Sequence, residues 1–209
     1  MSERIKDLSK QELAAVHKMA SKGLRHALFS LSQITGHSFG MHAPSVSAVS
    51  LEHLPEVVGP GDQVVVAIYM SIDGDVRGHL AFLFPWHSAQ RLWDLVVGHY
   101  PHDPQTVDDL CASAMLETGN ILNSGFMNAL SLMTNLRIHA TPPLVSIDDA
   151  HSIASAITCQ TELGDSVALA METKIFDEAN DGISGYFLCI PTGKGLHALL
   201  TGLDVRESA

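Results

Sequence analysis

Between Asp109 and Arg137 the chain carries one charged side chain, Glu117, and a carboxamide, Asn120, follows it three residues later. Ser113, Glu117, Asn120, Ser124 and Asn128 are spaced 4, 3, 4 and 4, which on an α-helix aligns them as one polar stripe. Leu110, Ala114, Leu116, Ile121, Leu122, Phe126, Met127 and Leu130 make the remainder apolar, so the helix is expected to be mostly buried. A solvated stripe is the plain alternative, but there Lys, Glu and Gln dominate. Here the stripe is Ser, Asn and one Glu, beside Gly119 and Gly125. A glycine costs about 1 kcal/mol in a helix interior, and close approach of another backbone is one explanation for both. A lone carboxylate and a carboxamide one turn apart on such a helix are residues placed for use.

Other chemistries find less support. The chain has 12 histidines, none in an H-E-x-x-H pattern. His99 and His102 lie in a Pro-flanked loop with no further ligands expected nearby, so no metal site is expected. Phosphate-binding and dinucleotide glycine loops and the nucleophile elbow are absent. Cys111, Cys159 and Cys189 are odd in number and widely spaced, which gives no disulfide framework. Ser32 and Ser131 each follow a leucine without a His or Asp partner pattern, and structural roles are expected for them.

The elements that must hold the stripe can be read from caps and periodicity. Ser9 and Glu12 form a capping box, followed by Leu13, Val16, Ala20, Leu24, Ala27, Leu28 and Leu31 at helical spacing and by Gly36 as a stop. Strands are predicted at Ser45–Leu51, Val64–Ile72 and Val76–Phe84, with Asp73-Gly74 as a hairpin signal. Pro85 ends that run, and Trp86 to Gly98 reads as a helix. The long helix of the polar stripe opens near Thr106 to Asp109 and reaches about Asn135. Then come a short apolar run at Leu144–Ile147, a strand at Ser166–Phe176, a turn at Asn180 to Gly182, a strand at Ile183–Ile190 and a helix at Thr192–Leu203.

The order repeats because the sequence does. Leu31-Ser32 and Thr35 match Leu130-Ser131 and Thr134 at an offset of 99, which also carries Pro44 onto Pro143 and Val46 onto Val145. Gly78 to Pro85 resembles Gly185 to Pro191 at an offset of 106 or 107. The expected fold is α/β: one domain over 1–209, built from two helix–three strands–helix repeats (about 9–100 and 105–203). The repeats would join about a pseudo-two-fold in one mixed six-stranded sheet with helices on one face.

Ser113, Glu117 and Asn120, followed after residues 121–142 by Pro143, resemble the signature of the CheC/CheX phosphatases of bacterial chemotaxis. The duplicated frame and the proline-ended strands match too, so the resemblance covers most of residues 10–203. It implies removal of phosphate from the aspartyl phosphate of a CheY-type response regulator. No cofactor of the chain's own is implied; the Mg²⁺ and the phosphoryl group belong to the regulator. Asn120 would hold water in line for attack on phosphorus, and Glu117 would pair with a regulator lysine; Ser113 and Pro143 complete the motif. Phosphoryl transfer rests mostly on positioning and electrostatics, which suits an amide.

The first repeat departs from this pattern. At offset 99, Glu117, Asn120 and Ser113 map to Lys18, Ser21 and Ala14, while Pro44 is kept. Lys18, Lys22 and Arg25 form a basic stripe instead, either a solvated face or a surface for an acidic partner such as a companion chemotaxis protein; a CheD-like protein is a further expected partner of the chain. Only one of two sites is therefore expected to work, the first being vestigial. The second reading of the whole chain is a non-catalytic CheC-like binding module for a response regulator, a CheD-like enzyme or a flagellar switch component.

Composition agrees with this class. The 209 residues are 46% hydrophobic and carry 23 Asp+Glu against 12 Lys+Arg, a net charge of −11, which argues against a nucleic-acid partner. No apolar run approaches the roughly 20 residues that span a bilayer, and the N-terminal stretch lacks an apolar signal core. A cytoplasmic protein without membrane insertion is expected.

Overall fold

The computed structural model describes residues 8–58, 60–161, 167–176 and 182–207. Arg4, Lys6, Ser166 and the expected turn at Asn180-Asp181 lie outside these residues. Helix α1 (Lys10–Thr35) begins as expected: the Ser9 hydroxyl accepts from the Glu12 N–H at 3.2 Å and the Glu12 carboxylate accepts from the Ser9 N–H at 2.8 Å. Gly36 ends it at φ 74°, in the left-handed region where a residue without Cβ is unstrained.

There follow β1 (Gly40–Met41), β2 (Ser45–Ser50), α2 (Leu54–Val58), β3 (Val64–Gly74), β4 (Gly78–Pro85) and α3 (Trp86–Val97). The second repeat gives α4 (Asp109–Thr134), β5 (Ile138–Ala140), β6 (Leu144–Asp149), α5 (Ala150–Gln160), β7 (Val167–Phe176), β8 (Gly182–Pro191) and α6 (Gly193–Glu207). The short strands β1 and β5 extend the expected six strands to eight.

The repeats exchange strands. β2 of the first pairs with β7 of the second, β6 of the second pairs with β3 of the first, and β4 meets β8 at the centre. Ser45 faces Glu172 and Leu144 faces Tyr69, so β2 and β6 are related by an offset of 99 and β3 and β7 by 103. Val66 faces Phe84 and Leu169 faces Cys189, which puts β4 and β8 at 105 in place of the expected 106–107. At the centre Phe82 faces Phe187, the residue equivalent to it in that register, with ring centroids 4.7 Å apart. A two-fold normal to the sheet reverses strand direction, so these equivalent strands must run antiparallel. Every pairing among the described residues is antiparallel, which corrects the expectation of a mixed sheet.

Both faces of the sheet are covered. Val66, Ile68, Leu80, Phe82, Leu169 and Phe187 meet buried side chains of α1 and α4 on one face. Their alternates Val65, Ala67, Ala81, Leu83, Ala168 and Leu188 meet Leu54 of α2 and Ile153 and Ile157 of α5 on the other. Helices α2 and α5 correct the expectation of helices on one face. α2 has five residues, too few for a periodic signal. α5 does carry one: Ala150, Ile153, Ala154 and Ile157 stand at i, i+3, i+4 and i+7 behind Asp149, whose carboxylate caps the Ser152 N–H at 2.8 Å.

Candidate active site

Helix α4 is fixed at both ends and along one face. Asp108 caps it by accepting from the Cys111 N–H at 2.8 Å, and Asn135 closes it at φ 60°. The buried Trp93 donates its indole N–H to the Cys111 carbonyl at 2.8 Å, and Phe126 lies with its ring centroid 4.2 Å from that of Phe187. The opposite face is the polar stripe: Ser113, Glu117, Asn120, Ser124 and Asn128 are all exposed.

The two glycines beside the stripe explain how the helix is seated. A Cβ on Gly125 would stand 2.6 Å from the Ala27 Cα and 2.8 Å from the His26 carbonyl, so α1 and α4 cross at backbone contact there, as expected. Gly119 differs, because its close neighbours are side chains. A Cβ there would meet Ile68 Cγ2 at 2.4 Å and Pro143 Cβ at 3.4 Å. Pro143 is buried and packs against the turn between Glu117 and Asn120, which gives a physical reason for a proline 23 residues after Asn120. It supports the turn from within and is not a surface residue.

Glu117 and Asn120 project from this seat, and neither side chain has a hydrogen-bond or ion-pair partner among the described residues. Apolar side chains share their helix face in solvent: Leu116 is 36% exposed and Leu110 55%. Leu110 and Leu116 were expected on the buried side. Spacing could have placed Leu110 outside, since it precedes Ser113 by three and Glu117 by seven and so falls on the stripe.

The first repeat's positions are occupied as the offset requires. Lys18 is exposed, Ser21 half-buried and Pro44 buried. Lys22 and Arg25 are exposed with Lys18, joined by His17 and His26. Gly23 meets Phe126 while Gly125 meets Ala27, so α1 and α4 run antiparallel. That arrangement puts the Lys18 turn and the Glu117 turn towards opposite ends of the helix pair. Ser32 is structural, its hydroxyl accepting from the Phe39 N–H at 3.1 Å.

No family model matches the chain. The CheY-P phosphatase CheC of Bacillus subtilis (strain 168) is 23% identical over 175 residues, covering 83% of this chain and 84% of that protein. The sequence is thus similar to a CheC-type protein over most of its length. The fold agrees: FliY of Thermotoga maritima superposes with a TM-score of 0.78 at 16% identity, over 95% of this chain and 98% of that one. A chain of the CheX-CheY-BeF3-Mg complex of Borrelia burgdorferi superposes with a TM-score of 0.53 at 15% identity, over 82% and 96%. No helix among the described residues is long and apolar enough to cross a membrane.

One expectation about the histidines is corrected. His99 does have further donor groups beside it: its Nε2 lies 3.2 Å from Asp108 Oδ2 and 3.6 Å from Cys111 Sγ. Burial, and then the neighbouring Asp108 carboxylate, pushes the Cys111 thiol up to about 11. The Asp108 carboxyl is held below its usual range, first by the Cys111 backbone N–H and then by His99.

Proposed function

We propose that this chain hydrolyses the aspartyl phosphate of a CheY-type response regulator at the Glu117–Asn120 turn of α4. The observation that carries the reading is the pair itself: an exposed carboxylate and an exposed amide without described partners, on a helix turn packed against Pro143 and Ile68. The name of the B. subtilis relative supports the substrate class. Leu110 and Leu116 on the same helix face would be covered by the docked regulator.

The Asn120 amide can accept a hydrogen bond from water through its oxygen and donate one through its nitrogen. Placed over the phosphoryl group, it would hold water in line opposite the aspartyl oxygen. A water O–P bond forms as the P–O bond to aspartate breaks, and the products are a carboxylate and inorganic phosphate. The Mg²⁺ that neutralises the phosphoryl oxygens belongs to the regulator and is part of the substrate. Glu117 would pair with a regulator lysine and set the angle of approach, without serving as a base. Lys18 in the first repeat would meet such a lysine with like charge, and Ser21 offers no amide; hence one working site.

The test is the decay of radiolabelled phospho-regulator with and without the purified chain. Acceleration by the wild type and none by Asn120→Ala supports the reading. Binding of the phospho-regulator with unchanged decay refutes catalysis and leaves a binding module in its place.

A further inference from the structure

We propose that His99, Asp108 and Cys111 form a zinc site that ties the connector between the repeats to the first turn of α4. The proposal is independent of the phosphatase reading. Cys111 follows Asp108 by three residues, on the first turn of a helix; His99 is brought to them from the end of α3. Their donor atoms all lie within 4.8 Å of one another. A tetrahedral zinc with bonds of about 2.0 Å to nitrogen and oxygen and about 2.3 Å to sulfur requires N···O and N···S separations of about 3.3 and 3.5 Å. The separations here are 3.2 Å and 3.6 Å.

The three donor groups converge on one point. Both the carboxylate and the sulfur approach the same imidazole nitrogen, Nε2. A neutral imidazole nitrogen either donates one hydrogen or accepts one. If it donates to Asp108, the thiol can donate to the same carboxylate; a cation at the focus of the three donor atoms replaces both of these hydrogen bonds with metal bonds.

The surroundings fit a cation as well. Asp108 Oδ1 is held by the Cys111 N–H, which leaves Oδ2 for the metal, and the Trp93 indole fixes the Cys111 carbonyl. Such outer partners orient metal ligands. One imidazole, one carboxylate and one thiolate suit Zn²⁺ among the common divalent ions. Two anionic donors cancel the ion's charge, so the positive end of the helix dipole has no net charge to oppose. His99 and Asp108 side chains are 46% and 56% exposed, so the fourth position opens to water. Binding would form Zn–N, Zn–O and Zn–S bonds and release the thiol proton to solvent, so zinc has to displace a proton that the buried sulfur holds tightly.

The experiment titrates the chelator-treated full chain with Co²⁺ and then with Zn²⁺. One equivalent of Co²⁺ should raise a thiolate-to-cobalt charge-transfer absorption, and one equivalent of Zn²⁺ should abolish it. His99→Gln, at an exposed position, is expected to fold normally and to weaken Zn²⁺ binding by at least the roughly 10- to 100-fold that loss of an outer partner costs. Cys111→Ser should remove the absorption. No thiolate band with the wild type, a band that survives Cys111→Ser, or Zn²⁺ affinity unchanged in His99→Gln would each overturn the site. Should Cys111→Ser fail to fold, the wild-type band and His99→Gln decide.

Discussion

In α4 the exposed turn carries Glu117 and Asn120; in α1 the corresponding turn carries Lys18 and Ser21, yet Pro44 is buried just as Pro143 is. The apolar seats are shared while the side chains that face solvent have diverged. Buried positions answer to packing, where a change of one methylene is felt. Exposed positions answer only to what they touch, so a duplicated frame can keep its core and lose one of two surfaces. A frame residue and a chemical residue can therefore sit in one motif for different reasons: Pro143 for the seat and, in the proposed function, Asn120 for the water.

The largest test of this asymmetry is Asn120→Ala, which should lower phosphatase activity by about 100-fold or more, the order lost when a positioning group is removed. Its fold should stay intact by circular dichroism, because the change is mild for helix propensity. A residual rate near half of wild type would show that the Lys18 turn is catalytic. Next, Gly125→Val puts side-chain atoms against the α1 backbone and should destabilise the helix pair by about 1–3 kcal/mol in a denaturant melt. An unchanged melt would mean that the helices do not cross there.

Glu117→Gln should weaken the regulator complex several-fold, more at low salt where the ion pair is least screened. Equal affinity at every ionic strength removes the proposed pairing. The converse experiment rebuilds the first site. Lys18→Glu with Ser21→Asn should raise the rate per chain by at most about twofold, since two distant, independent sites add. No gain would mean that the frame around Pro44 has drifted as well. The smallest effect is at the α1 capping box. Hydrogen bonds from Ser9, side chain first, hold the Glu12 carboxyl below its ordinary range. The group binds its proton more readily when unfolded, so its stabilisation is present at neutral pH and lost as pH falls through the carboxylate range. The melting-temperature gap between wild type and Glu12→Gln should accordingly close on acidification, and a gap constant with pH would refute the cap's contribution.

The site's composition was legible because helical periodicity is a local property. Spacing alone put Ser113, Glu117, Asn120, Ser124 and Asn128 on one exposed line, and the resemblance attached roles to two of them. Local capping chemistry likewise set the ends of α1 and the turn at Gly74 (φ 111°). Helix α5 was equally legible from Asp149 and its i, i+3, i+4, i+7 spacing, and was not among the expected elements. What remained hidden joins residues far apart in the chain: Pro143 and Ile68 around Gly119.

The sequence by itself determined the duplicated order of elements, the polar stripe and the charge reversal between Glu117 and Lys18, because each depends on residue types within a few positions or on a fixed offset. Only the tertiary structure decided that β2 crosses to β7 and β6 to β3, since strand partners are chosen by burial across the whole sheet and many partners satisfy one strand's own pattern. The same closure placed Phe82 opposite Phe187 on the pseudo-two-fold, and the path of the connector from α3 to α4 set His99 beside Asp108 and Cys111. Distances of that kind follow from how the chain packs, which no local spacing encodes.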